Sequence, residues 1–268
     1  MSTTSSLLRY PRLLALQARM SLLVSLQYRL DFFLTFSLGL FWSVSALVPL
    51  LVLFRLRTGV AGWTWPEALL VASFFLMIKS VLSAMIQPSA VATVEQIRLG
   101  TLDFVLLKPA DSQFLVTTSR LELARVSDFF AGLVLLGIAL YQRGEPPTVT
   151  GVLLAIWIFG AGVAILYALF VLVLSMAFLF VKIDNLSYLM ASIFDAARWP
   201  SSIFRGALAL IFTFVIPLAV MTTYPSLALL GRVGAGRVAI ATVVAAFFVA
   251  LSRLAWVRAI RRYTSAGG

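Results

Sequence analysis

Long stretches of apolar residues without a single charged side chain dominate the chain. Residues Phe32–Phe54 and Pro146–Val181 contain no Asp, Glu, Lys or Arg. A helix needs about 20 apolar residues to cross about 30 Å of hydrocarbon, and both stretches are long enough. Of the 268 residues, 62% are hydrophobic and only 12% are charged, which is too little charge to cover a water-soluble surface. The sequence therefore predicts an all-α polytopic membrane protein.

Six stretches are predicted to cross the bilayer. Their approximate bounds are Phe32–Phe54, Pro66–Pro88, a third that is purely apolar from Phe129 to Leu140, one within Pro146–Val181, Ala207–Met221 and Val238–Val257. Arg253 lies close enough to the end of the sixth span to snorkel to the interface. With the N-terminus assigned inside, most basic residues of the short loops fall on one side. The positive-inside rule therefore places both termini in the cytoplasm.

The six spans divide the chain into an N-terminal segment 1–29, a membrane domain 30–257 and a basic cytoplasmic tail 258–268. In the first segment Arg9, Arg12 and Arg19 alternate with leucines. This pattern predicts an amphipathic helix lying in the membrane interface, with a simple basic topogenic tail as the alternative. A second surface helix is predicted from Asp184 to Trp199, and a re-entrant or short helical region is predicted outside the membrane at 222–236.

The absence of two residue types narrows the chemistry. The chain contains neither Cys nor His, so disulfides, thiolate or imidazole metal sites and a Ser-His-Asp triad are excluded. A carboxylate-only metal site remains formally open, but the ten acidic residues form no cluster with ligand spacing. The net charge of +11 is scattered between apolar stretches rather than gathered on one face, which argues against nucleic acid as a partner.

Two groups of charged residues lie within or beside the predicted spans. Lys79 interrupts the second span, where a lysine costs on the order of 2.5–3.5 kcal/mol. It either lines a translocation pathway or is paired structurally with backbone carbonyls or a polar neighbour. Glu122, Arg125 and Asp128 are spaced three apart and are predicted to stack on one helical face as intrahelical ion pairs. An ion pair with a partner protein is the alternative.

The longest predicted cytoplasmic loop, 89–119, contains an unusual mixture of apolar and charged residues. A short surface helix broken at Gly100 is predicted within it, and Pro109 is expected to end the segment. Phe104, Leu106 and Leu107 need a surface that buries them. Either the loop packs beneath its own bundle, or a partner protein covers it.

The loop also carries the motif Ile97-x-x-Gly100-x-Leu102-Asp103-x-x-Leu106-Leu107-Lys108-Pro109. This string closely resembles the first cytoplasmic loop of ABC-2-type transporter permeases, in the bacterial subgroup with a G-x-L-D-x-x-L-L-K-P sequence. The resemblance implies an ABC-2 (type V exporter-like) permease fold, with an N-terminal interfacial helix and six spans. It also implies efflux, with this chain forming half of the translocation pathway. The loop residues expected to couple to an ATPase are Glu95, Arg98, Gly100, Asp103, Lys108 and Pro109, and Lys79 is the candidate pathway residue.

The resemblance further implies a complex of two permease and two ATPase subunits in the bacterial cytoplasmic (inner) membrane. The chain has no Gly-x-x-x-x-Gly-Lys-Ser/Thr phosphate loop, so ATP and Mg²⁺ are expected to bind to a separate ATPase chain, and no cofactor is expected here. The second permease is expected to be a different chain, with a homodimer as the alternative. A non-transporting scaffold or receptor subunit is the competing interpretation. An intramembrane enzyme would need a reactive pair that the spans lack.

Overall fold

The computed structural model describes residues 9–57, 59–178, 192 and 194–263. Within these ranges the regular structure is helical, apart from an isolated β-bridge between Val60 and Trp63. The helices are α1 (Arg9–Gln27), α2 (Arg29–Ser45), α3 (Val48–Leu56), α4 (Trp65–Val81), α5 (Gln87–Arg98), α6 (Asp103–Leu106), α7 (Ser112–Thr117), α8 (Ser127–Arg143), α9 (Val149–Met176), α10 (Ala207–Leu210), α11 (Tyr224–Leu229) and α12 (Ala235–Arg261).

Five helical stretches among the described residues are long and apolar enough to cross a membrane. They are Arg29–Leu56, Trp65–Arg98, Leu123–Arg143, Val149–Met176 and Ala235–Arg261. The prediction of an all-α polytopic membrane protein is therefore confirmed, and five of the six predicted spans correspond to these stretches. The spans run alternately between two ends of the bundle. We call the end that carries residues 99–122 the near end and the end that carries residues 59–64 the far end.

The second stretch is the centre of the bundle and extends far beyond one bilayer. Most of α4 is buried, with Leu70, Phe75 and Leu76 in the main hydrophobic core. A π-helical segment, Leu82–Ile86, joins α4 to α5, and the Ala84 carbonyl accepts a hydrogen bond from the Glu122 N–H at 2.7 Å. The stretch has 34 residues and is about 51 Å long. Its last turns therefore project from the near end, and the first third of the predicted loop 89–119 is helix.

The charged residues around the start of α8, Glu122, Arg125 and Asp128, do not form the predicted continuous stack. Arg125 and Glu122 are paired at 3.4 Å, as predicted. Asp128 is instead buried against α2, where its carboxylate accepts a hydrogen bond from the Ser43 hydroxyl at 2.6 Å. A buried carboxylate needs such a donor, because an unsatisfied charge in the bundle is costly. Asp128 therefore fastens α8 to α2 and takes no part in the ion pair.

The predicted fifth span, Ala207–Met221, is wrong. The segment is not a continuous helix, because it consists of α10, a π-helical turn (Ile211–Val215), a break at Ile216–Pro217 and a second π-helical turn (Ala219–Thr223). Pro217 lacks an N–H and fixes its own φ, so a regular helix cannot continue through it.

The contacts of the flanking segments show that this region enters and leaves the bundle at the far end. Phe194 stacks near Phe170, deep towards the near end, while Ser202 accepts a hydrogen bond from Trp63 at the far end. Residues 194–202 therefore run from the near-end half of the bundle to the far end. Residues 221–229 also run to the far end. Met221 lies beside Gly162 in the middle of α9, and the Leu229 carbonyl accepts a hydrogen bond from Arg143 at the far end.

Residues 204–217 connect these two segments and must therefore run from the far end back towards the middle of the bundle. Residues 204–230 thus form a re-entrant hairpin. Irregular backbone at membrane depth is tolerated where protein buries it, and the second half of the hairpin is buried at Leu218, Val220 and Met221. Leu208, Leu210 and Val215 of the first half are exposed. The hairpin begins well before the external region predicted at 222–236. The predicted helix from Asp184 lies mostly outside the described residues, and its described end at Asp195–Arg198 lies inside the bundle rather than on the near surface.

Gly162 provides the close approach between α9 and the hairpin. A Cβ atom at this position would lie 2.8 Å from the Met221 Cα, whereas a Cβ at Gly160 would meet nothing within 4 Å. Gly160, Ala164 and Ala168 are small residues spaced four apart on α9, a pattern that favours close helix packing, but the close contact falls on Gly162, outside this pattern. In α12 the predicted small residues Ala241 and Ala245 are buried in the core.

Replacing Gly162 by alanine should destabilise the bundle, although alanine favours a helix interior over glycine by about 1 kcal/mol. The clash is with backbone, and overpacking of this kind costs about 1–3 kcal/mol. We expect the midpoint of thermal unfolding in detergent to fall by several degrees, since about 1 kcal/mol corresponds to about 2–4 °C at this size. Gly160→Ala is the matched control and should leave the midpoint unchanged or raise it. Equal effects of the two substitutions would contradict the packing described here.

The predicted N-terminal helix is present as α1. Leu16, Met20 and Leu23 are exposed along it, as expected for a helix that rests on a lipid interface. Tyr10 contacts Phe114 edge to face, with ring centroids 5.0 Å apart, so α1 begins beside the segment that joins α5 to α8. Attachment of α1 to the membrane surface stays a prediction.

Candidate functional site

The loop that follows α5 is shaped by one glycine and one helix cap. Gly100 has a φ of +69°, a left-handed conformation that residues with a Cβ rarely adopt, and it ends the helix where the sequence predicts a break. The N–H groups of Thr101 and Leu102 both donate to the Gln96 carbonyl, which closes the turn. The Asp111 carboxylate then accepts a hydrogen bond from the Phe114 N–H at 3.1 Å and caps α7.

A small hydrophobic cluster fixes the base of this loop to the near ends of α9 and α12. Leu102 and Val116 from the loop are fully buried against Val171 and Leu174 of α9 and Trp256 of α12. Leu106 is partly buried on the edge of the same cluster. The loop therefore packs beneath its own bundle through Leu102 and Leu106, which is one of the two arrangements that the sequence left open.

Polar contacts reinforce the apolar cluster, and we call them the loop clamp. Arg253 of α12 pairs with the Asp111 carboxylate at 2.6 Å and donates to the Gln113 side-chain oxygen at 3.1 Å. The Gln113 amide in turn donates to the Tyr167 hydroxyl of α9 at 3.0 Å, and the Trp256 indole donates to the Ser112 hydroxyl at 3.2 Å. A displacement of the loop must therefore act on α9 and α12.

The outer part of the loop is exposed, and we call residues 99–109 the loop tip. Phe104 is 70% exposed and Leu107 is 81% exposed, so these two residues remain uncovered while Leu106 does not. Leu99 is exposed beside them. A cluster of large apolar side chains at the end of a membrane bundle, rimmed by charges, is typical of a protein-binding surface.

The structure places all six predicted coupling residues on or next to the loop tip. Glu95 and Arg98 are exposed on the last turn of α5, and their side chains are 3.6 Å apart. Lys108 and Pro109 are exposed, whereas Gly100 and Asp103 are half-buried. Asp103 lies beside Tyr263, the residue that follows α12. Burial first, and then the negative charge of Asp103, raise the pKa of the Tyr263 hydroxyl above its usual value.

Lys79 borders a cavity on the near-end half of the bundle. The cavity has a volume of about 240 Å³, and its walls are apolar at Phe75, Ile78, Leu82, Leu166 and Phe194. Lys79, Ser83, Gln87, Ser192 and Asp195 provide its polar surface. The structure places an acidic residue, Asp195, on the same cavity as Lys79, a neighbour that the sequence alone does not indicate.

A second concavity continues from this cavity towards the near end. It has a volume of about 470 Å³, and Lys79, Ser83 and Gln87 border it as well. Its other lining residues include Arg120, Glu122 and Arg125. The two concavities therefore form one groove along α4 and α5, which we call the α4 groove. Within the described ranges no three His, Cys, Asp or Glu side chains come together as a metal site.

Comparison with known proteins supports the resemblance seen in the loop. A family model described as ABC-2 family transporter protein matches residues 40–267, which is most of the chain. The chain belongs to the ABC-2 transporter family. No curated protein and no solved structure matches the chain significantly. The matched range of this ABC-2 protein contains the loop tip, the loop clamp and the α4 groove. It is the permease component of an ABC transporter, a transport subunit that functions with an ABC ATPase in a lipid bilayer.

Several functional contacts of the ABC-2 permease were missed by sequence reasoning. Arg253 was expected to snorkel, but it pairs with Asp111, more than half the chain away. No local pattern links such distant residues. The sequence places Asp195 on a predicted surface helix, because it assigns the fifth crossing to residues Ala207–Met221. The unusual feature that could have drawn attention to the clamp is Asp111-Ser112-Gln113, three polar residues directly after a proline-terminated apolar segment.

Proposed function

We propose that this ABC-2 permease forms half of the translocation pathway of an ATP-driven exporter in the bacterial inner membrane, and that its loop tip docks onto a separate ATPase chain. One observation carries the proposal. The base of the loop is fixed to α9 and α12 by the cluster and the clamp, while Phe104 and Leu107 project without cover. A loop that is rigid at its base and apolar at its tip can receive a force from a partner and transmit it.

The proposed topology has six crossings and two cytoplasmic termini. The five described spans alternate, and α9 ends at the near end while α12 begins at the far end, so the chain must cross an odd number of times between these two helices. Tyr10 and Tyr263 both lie at the near end, beside Phe114 and Asp103. Because Ala207–Met221 is not a span, Arg198 and Arg205 no longer count among the near-end basic residues and lie towards the far end. Arg98, Lys108 and Arg120 around the loop, together with the basic residues at the end of α12, still favour a cytoplasmic near end.

The proposed coupling uses this chain's own contacts. Movement of the loop tip displaces Asp111 and Gln113, and through them Arg253 on α12 and Tyr167 on α9. Helix α9 carries Gly162, against which the re-entrant hairpin packs, so a shift of α9 reaches the far end of the bundle. ATP binding would bring two ATPase subunits together and move the loop tips with them. Alternating exposure of the pathway to the two sides follows from this movement.

The partners of the proposed complex are two ATPase subunits, which bind ATP and Mg²⁺, and a second permease subunit that is a different chain. A scaffold or receptor subunit with a permease-like fold is the competing function. A scaffold or receptor subunit would not need a loop with an exposed apolar tip and a base that is fixed to the bundle. The α4 groove, with its charged residues at membrane depth, also favours transport, because such residues usually mark a pathway.

Co-expression with the ATPase encoded next to this chain tests the proposal. We expect the two proteins to co-purify from detergent as one species on size-exclusion chromatography and to hydrolyse ATP. The permease purified alone should hydrolyse none. Separate elution of the two proteins under mild detergent conditions would contradict the proposed function.

A further inference from the structure

We propose that the α4 groove is a binding site for an amphiphile with one anionic headgroup, a phosphate or a carboxylate. The anion lies between Lys79 and Arg120, and the apolar chain extends into the cavity formed by Phe75, Ile78 and Leu166. This inference rests on the proposed transport function for its biological meaning, because it names the class of molecule that enters the pathway. The binding itself depends only on the groove.

The charges of the groove are unequally paired. Glu122 is paired with Arg125 at 3.4 Å, and Asp195 is paired with Arg198 at 3.3 Å. The two acidic side chains that border the groove therefore already have cationic partners. In contrast, Lys79 and Arg120 make no salt bridge within the described part of the chain. Among the residues that the structure describes, the groove thus presents two positive charges without a salt-bridge partner, and an anion is the complementary ligand.

The position of Lys79 along α4 sets the orientation of the ligand. Trp65, the first residue of α4, marks the far-end interface, as tryptophans commonly do. Lys79 follows Trp65 by about four turns, which places it about 21 Å along the helix. In a hydrocarbon layer of about 30 Å, Lys79 then lies about 9 Å from the near boundary, and Ser83 and Gln87 lie closer to it. A headgroup held by these residues sits at the depth of the near-side leaflet.

The polarity of the groove changes along its length in the same direction. Towards the far end its walls are apolar, at Phe75, Ile78 and Leu166. Towards the near end its lining becomes polar and cationic, at Ser83, Gln87 and Arg120. A small hydrophilic anion would leave the apolar walls without a partner, and an uncharged hydrocarbon would leave Lys79 without an opposite charge. An anionic amphiphile satisfies both halves.

Binding of ³²P-labelled dodecyl phosphate to the purified full-length chain in an uncharged detergent at neutral pH tests this assignment. A charge-assisted hydrogen bond contributes enough affinity that its loss corresponds to about a tenfold weakening or more. We therefore expect Lys79→Gln to weaken binding by about tenfold and Lys79→Arg to retain most of it. Arg120→Gln, at the exposed mouth of the groove, should weaken binding without threatening the fold. Arg57→Gln, an exposed arginine at the far end, is the matched control and should bind as the wild type does.

Competition experiments separate the possible ligands. Unlabelled dodecyl phosphate should displace the probe, whereas dodecyltrimethylammonium and inorganic phosphate at the same concentration should not. Displacement by phosphatidylglycerol would identify a bilayer lipid as the source of the headgroup, and its failure would identify a single-chain amphiphile; either result retains the anion site. Wild-type affinity in both Lys79→Gln and Arg120→Gln, or equal displacement by the cationic amphiphile, would overturn the proposal.

The outcome is independent of the ATPase experiment. If dodecyl phosphate binds as expected but no ATPase co-purifies, the proposed function fails and the anion site stands. If the ATPase co-purifies but the Lys79 and Arg120 variants bind like the wild type, only the assignment of the α4 groove fails.

Discussion

Replacing both Phe104 and Leu107 by aspartate should abolish the association of this permease with its ATPase. Both side chains are largely exposed, so the substitutions leave the bundle intact, but they place two charges where an apolar contact is required. Central apolar residues of an interface contribute about 2 kcal/mol or more each. We therefore expect the affinity to fall by at least about 100-fold and permease-dependent ATP hydrolysis to be lost. Titration of the ATPase against the permease in lipid nanodiscs measures both quantities.

A control for the added charge is available at the opposite end of the molecule. Val149 is exposed at the start of α9, directly after the Thr148 cap, and an aspartate there is compatible with a helix N-terminus. Val149→Asp should leave ATPase binding unchanged. If the Phe104 and Leu107 double variant also binds the ATPase normally, the loop tip is not the docking surface.

Replacing Trp256 by alanine should loosen the loop from the bundle. Trp256 is completely buried, contacts Phe178 edge to face and donates a hydrogen bond to Ser112. Truncation of a fully buried tryptophan costs about 3–5 kcal/mol, and here the cavity opens in the cluster that fixes Leu102. We expect faster amide hydrogen exchange in residues 99–117 and a lower midpoint of thermal unfolding.

This variant also separates docking from coupling. Because the loop tip itself is unchanged, the ATPase should still bind, but ATP hydrolysis should no longer drive transport. Trp42→Ala is the matched control, since Trp42 is exposed on the surface of α2 and its loss should change hydrogen exchange in the loop very little. Unchanged protection of residues 99–117 in Trp256→Ala would contradict the role given to the cluster.

The sequence predicted the features that depend on local composition. Charge-free apolar stretches located five of the spans, because only a helix satisfies its own backbone in lipid. Gly100 predicted the break in the loop, because a left-handed residue is the usual end of a helix. The resemblance of the loop to ABC-2 permeases was confirmed by the family match over residues 40–267.

The fifth span shows where composition is insufficient. Residues Ala207–Met221 are as apolar as a true span. The exposed side chains of the first half, such as Leu208 and Val215, and the buried ones of the second half, such as Val220 and Met221, both need apolar surroundings. Pro217 is the one residue in this segment whose type disfavours a continuous helix. Whether a segment crosses or returns depends on contacts such as that between Gly162 and Met221, which the sequence does not encode locally.

The same limitation applies to charged pairs. Arg253 with Asp111 and Asp128 with Ser43 join residues far apart in the chain, so spacing rules suited to a single helix assigned Asp128 to the wrong partner. Asp195 and Lys79 share a cavity although more than 100 residues separate them, so no local spacing rule connects them. Local rules identified the pair Glu122–Arg125 correctly, because its partners are one helical turn apart.

Single-cysteine cross-linking tests most directly the claim that the loop tip binds the ATPase. The chain contains no native cysteine, so only the introduced residue of the permease is labelled. A Leu107→Cys variant labelled with a short photoactivatable maleimide and co-expressed with the ATPase should give one cross-linked species containing both chains. An Arg57→Cys variant, exposed at the far end, should give none. A cross-link to the ATPase from position 57 but not from position 107 would contradict the account.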